Sequence, residues 1–66
     1  MEPHQQRVVD EKIDLDTKIK ALAQFIGSSP IFNSLCAEER SDLLAQLDIM
    51  DRYSGLLGKR IGRFTC

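Results

Sequence analysis

The residues of this chain best suited to chemistry are cations near its end. Lys59, Arg60 and Arg63 come after Asp51, and no acidic residue follows that aspartate. A guanidinium is a planar fork of donors that matches phosphate oxygens two at a time, so this pattern suits an anion site. Tyr53 stands a little upstream and offers a ring on which a base could stack. His4, Arg7 and Lys12 are the cations near the other end of the chain. A second account of the same residues is structural. Cations in a last helical turn complement the helix dipole, and a lone tyrosine beside an apolar stripe packs against it.

Covalent catalysis has nothing to stand on. The chain's single histidine, His4, falls in the fraying N-terminal run, so no nucleophile–base–orienter constellation is expected around it. His4, Cys36 and Cys66 are too scattered to close a tetrahedral metal site. No Gly-rich phosphate loop follows a strand, because no segment alternates with period two. Asp10, Glu11, Asp14, Asp16, Asp42, Asp48 and Asp51 interleave with Lys18, Lys20 and Arg52 at the spacing of a solvated helix face. The expectation is a binding protein, not an enzyme, with no cofactor and no metal.

Two apolar stripes must position these groups. Val8, Lys12, Leu15, Ile19, Leu22 and Ile26 alternate spacings of four and three, as do Leu43, Leu47, Met50, Ser54, Leu57, Ile61 and Phe64. That alternation is the seam of a coiled coil. The stripes are of similar length and are joined by a Gly-, Ser- and Pro-containing segment, which predicts an antiparallel helical hairpin. Helix 1 is expected over about 3–26, the connection over 27–36 and helix 2 over about 37–63. Pro3 suits a first helical position, Gly27 a helix stop, and Ser29-Pro30 a cap followed by a new start. Ile31, Phe32 and Leu35 are expected to fold over the loop end. Gly55, Gly58 and Gly62 share one face of helix 2 and suggest close approach of a backbone or a ligand. Val9 and Ile13 form a second apolar patch off the seam. Lys12 and Ser54, the two polar seam members, fall at about the same level. Lys12 could snorkel, set register or reach an anion.

At 66 residues the chain makes one domain, too small to bury a sufficient core from a lone hairpin. Cys36 falls at the loop end and Cys66 at the open end, tens of ångströms apart at about 1.5 Å rise per residue. Two free thiols then imply a reducing compartment, and self-association is the remaining way to stability. The first residues are polar, and no apolar run approaches the roughly 20 residues that span a bilayer. The expected setting is the cytoplasm, with no membrane partner. A net charge of −1 gives duplex nucleic acid little electrostatic attraction.

The run Pro3-His4-Gln5-Gln6 followed by Glu11-Lys12-Ile13-Asp14-Leu15-Asp16-Thr17-Lys18-Ile19-Lys20-Ala21 resembles the opening of small phage helical-hairpin proteins. These are the sponges that sequester cyclic-nucleotide signals of bacterial CBASS and Thoeris immunity. Ile49-Met50-Asp51-Arg52-Tyr53-Ser54 and Gly58-Lys59-Arg60-Ile61 also resemble short crAss-phage related proteins of unknown function. The sponge resemblance implies a homo-oligomer, often a hexamer, that holds nucleotides between subunits without cleaving them, in the cytoplasm of the bacterial host. Where those sponges carry an aromatic and basic turn after the Gln pair, this chain reads Arg7-Val8-Val9, so base stacking falls to Tyr53. The expected ligand-binding residues are Arg7, Lys12, Tyr53, Lys59, Arg60 and Arg63, and the expected partners are further copies of the chain and a nucleotide second messenger. The alternative is a protein–protein inhibitor that docks on a host protein through Val9, Ile13, Leu44, Ile49 and Leu56.

Overall fold

The computed structural model describes residues 1–65; the expectations resting on Cys66 lie outside them. Its first helix, α1, spans Pro3–Ser28, a short α2 spans Pro30–Ser34, and α3 spans Ala37–Gly62, ending in a 3-10 turn at Arg63–Thr65. The described residues contain no strand, and α1 packs along α3. The Cα trace measures 46 × 15 × 14 Å, the dimensions of a two-helix rod. The fold is all-α.

Local sequence accounts for most of the helix ends. Pro3 opens α1, and Gln5 Oε1 accepts from the Glu2 amide at 3.0 Å. Gly27, read above as the stop, lies inside the helix. The chain breaks two residues later at Ser29, because the residue before a proline is pushed out of the α region; its ψ is 128°. Ser29 then caps α2 by accepting from the Ile31 amide at 3.2 Å, as its position before Pro30 predicts. At the other terminus α3 runs through Gly55 and Gly58 to Gly62. Glu38 and Glu39 sit in its first turn and Lys59 and Arg60 in its last, each complementing the local end of the dipole.

The apolar core is thin. Among described apolar residues only Val8, Phe32 and Leu57 are buried, and Leu57 alone is 0% exposed. Leu15, Ile19, Leu22, Leu43, Leu47, Met50, Ile61 and Phe64 remain half-buried along the seam, because two helices wall a stripe on one side only. At the loop end Phe32 does the capping. Its ring meets Phe25 edge-on at 6.2 Å and 88°, a favoured aromatic geometry. Leu35 is half-buried, but Ile31 points outward. Adjacent positions on a helical turn diverge by about 100°, so Ile31 and Phe32 cannot both face the hairpin.

Replacing Leu57 removes the best-buried side chain. Leu57→Ala is expected to cost about 2–5 kcal/mol, the range for buried leucines. Leu44→Ala, on the exposed flank, should cost within about 0.5 kcal/mol. Thermal unfolding followed by circular dichroism measures both, and equal losses would contradict this assignment of the core.

Candidate functional site

The polar break in the two seams closes on itself. The Lys12 ammonium donates to Ser54 Oγ at 2.9 Å across the helices and to Asp16 Oδ2 at 2.8 Å one turn along α1. The Ser54 hydroxyl donates in turn to Asp16 Oδ1. Each polar group at this level of the seam is therefore satisfied, with Ser54 itself buried. A Cβ built at Gly58 would stand 3.5 Å from Lys12 Cε, an ordinary van der Waals contact that the lysine stem tolerates. A Cβ built at Gly55 or Gly62 would meet nothing within 4 Å. Lys12 thus does not snorkel freely; its charge is held by Asp16. The ammonium and then the Ser54 hydroxyl, both bonding to the carboxylate, draw the Asp16 pKa below its usual value.

A second cross-helix contact lies on one flank of the seam, where the Tyr53 hydroxyl donates to Glu11 Oε2. The bond to Glu11 is the main cause that raises the Tyr53 pKa, followed by desolvation and the carboxylate's charge, while Arg60 acts against them. At helical spacing Arg7 on α1, and Tyr53 and Arg60 on α3, occupy this same flank near the open end. Arg63 caps α3 one turn beyond. All four are exposed, and among the described residues the three arginines form no ion pair; the ion pairs there are Lys12–Asp16, Lys18–Asp14 and Arg52–Asp48.

The six residues singled out from sequence are therefore in different situations. Arg7, Tyr53, Arg60 and Arg63 lie along one flank, Lys59 projects from the side of α3 away from the seam, and Lys12 is engaged with Asp16 and Ser54. Glu11 and Asp16 escaped the sequence reading, because each looked like one more carboxylate of a solvated face. The signal that could have found Asp16 is its place one turn after the seam lysine. The surface is open, with no enclosed pocket among the described residues, no cluster of metal-ligating side chains, and no helix long and apolar enough to cross a membrane. Such a surface can bind an anion from one side, and a second wall would have to come from another molecule.

Two titrations follow. A depressed carboxylate pKa contributes stability above its unfolded value of 3.8 and loses it as pH falls through the folded value. The thermal midpoint should accordingly fall on acidification below about pH 4, and Asp16→Asn should flatten that fall. A raised phenol pKa contributes stability below 10.0 that is lost as pH rises through the folded value. The chain has one tyrosine, so absorbance at the phenolate band reads Tyr53 alone. Its midpoint should lie above the ordinary range and drop in Glu11→Gln; coincident midpoints would contradict the Tyr53–Glu11 bond.

Comparison with other proteins agrees with binding more than with turnover. No match was found among curated proteins or among solved structures. The family called Sequestin, a name that speaks of sequestering and not of catalysis, matches residues 2–63. With nearly its whole length matched, this chain belongs to the Sequestin family.

Proposed function

We propose that this chain sequesters a cyclic or related nucleotide messenger of bacterial immunity between copies of itself, without cleaving it, as a phage anti-defence protein acting in the host cytoplasm. The observation that carries this reading is the basic flank at the open end. Arg7, Arg60 and Arg63 stand exposed there beside Tyr53, with no ion pair of their own among the described residues. Arg60 and Arg63 grip phosphate oxygens in forked pairs, and Arg7 and Lys59 add positive field, while the charge of Lys12 is offset by Asp16. The Tyr53 ring is held in place by its bond to Glu11, so its face is oriented for stacking before a base arrives. Assembly supplies the missing wall of the site. Family membership and the sponge-like opening of the sequence support the same reading.

A second reading draws on a separate observation. Ile13, Leu44, Ile49 and Leu56 are exposed, and with half-exposed Val9 they could anchor the chain on a host protein instead. A stoichiometric host protein captured without nucleotide would favour that reading.

Calorimetric titration against cyclic di- and trinucleotides and cyclic ADP-ribose isomers tests the proposal. At least one should bind with Kd below about 10 μM, a free energy near −7 kcal/mol. The ligand should be recovered intact after heat denaturation. Arg60→Ala should weaken binding about tenfold or more, beyond the 1 kcal/mol typical of an exposed pair. Absence of binding across the panel, or an unchanged affinity in Arg60→Ala, would contradict the site.

A further inference from the structure

Helix α3 carries a second stripe beside its seam. Asp42, Ile49, Leu56 and Arg63 recur every seven residues, and Gln46, Tyr53 and Arg60 recur every seven between them. At helical spacing this stripe lies on the flank where Tyr53 meets Glu11. Every member is exposed; Ile49 is 65%, Leu56 51% and Tyr53 40% accessible. An apolar centre is thus flanked by an acidic end and a basic end, and nothing in the hairpin covers it.

The order of these residues selects a partner. Laid against itself in antiparallel fashion about an axis at Tyr53, the stripe is self-complementary. Ile49 then meets the partner's Leu56, Gln46 meets the partner's Arg60, and Asp42 meets the partner's Arg63. Laid parallel, the stripe would set arginine on arginine and aspartate on aspartate, a repulsive arrangement.

We infer that the chain pairs with a second copy through this stripe, α3 against α3 in antiparallel orientation about a two-fold axis at Tyr53, to make a four-helix unit. The inference concerns self-assembly and not the identity of the ligand; because it covers Tyr53 and sets Arg63 on the partner's Asp42, this pairing and the ligand of the proposed function compete for the same flank. It places Tyr53 and Arg60 of both copies along one shared seam, the kind of isologous contact that closes on itself.

Cysteine cross-linking of the full chain, with Cys36 and Cys66 replaced by serine, tests this directly. Tyr53→Cys should form a covalent dimer on oxidation, since a residue on the axis faces its own copy within disulfide reach. Ile49→Cys should link poorly to itself but readily to Leu56→Cys in a mixture. As a control of assembly itself, sedimentation of Leu56→Asp should show association weakened at least about tenfold, because its charge would be buried unpaired, with helical content unchanged. Asp42→Arg should weaken association, and adding Arg63→Asp should restore it. Equal self-linking at Ile49, Tyr53 and Leu56 would overturn the antiparallel axis. Unchanged association of Leu56→Asp would overturn the interface, while nucleotide binding by such an assembly would leave the proposed function standing.

Discussion

Everything at the open end depends on one ammonium, that of Lys12, which is held between Asp16 and Ser54 where the two seams are otherwise apolar. Leucine, isoleucine and methionine recur along α3 at heptad intervals, so apolar contacts alone would tolerate a slip of one heptad. Such a slip would set Lys12 opposite the level of Leu47 or Ile61 and leave its charge without the Ser54 hydroxyl. A polar pair at one seam level, here partly buried with Ser54 inside and Lys12 half-exposed, is a known way to fix register at some cost in stability.

Fixing register decides which charges become neighbours. It brings Glu11 to Tyr53 and puts Arg7 on the flank that Arg60 occupies, with neither arginine in an ion pair among the described residues. The hairpin that does this is barely self-sufficient, with three buried apolar residues and a half-open seam. Under the proposed function, a neighbouring copy would supply the second wall that an open basic flank lacks, so assembly and ligand capture would be thermodynamically linked.

The parts of the fold legible in the sequence were those set by periodicity. Two stripes of alternating four and three spacings predicted two packed helices, and the match in level of Lys12 and Ser54 predicted their meeting. Less legible were features that depend on competing local effects. Gly27 looked like a stop, yet the geometric constraint of Pro30 on Ser29 was the stronger and carried α1 to Ser28. Ile31 was grouped with Phe32, although a single helical turn can present only one of them to the hairpin. The gathering of cations at the open end was legible as a charge pattern. Which arginines share a flank, and that Tyr53 is tied to Glu11, required the rotation of each helix about its axis, which heptad counting leaves open. The second stripe on α3 was hidden because its apolar members were read singly, apart from the charges that continue their spacing.

The register can be measured directly by isotope-filtered nuclear Overhauser spectroscopy on the labelled protein, which separates contacts within a chain from those between chains. The account predicts intrachain cross-peaks from the Lys12 ε-methylene to the Gly58 α protons and to Ser54, together with cross-peaks from the Tyr53 ring to Glu11. Cross-peaks from Lys12 to Leu47 or Ile61 in place of Ser54 and Gly58 would show a slipped hairpin. They would contradict the arrangement that gathers Arg7, Tyr53 and Arg60 on one flank.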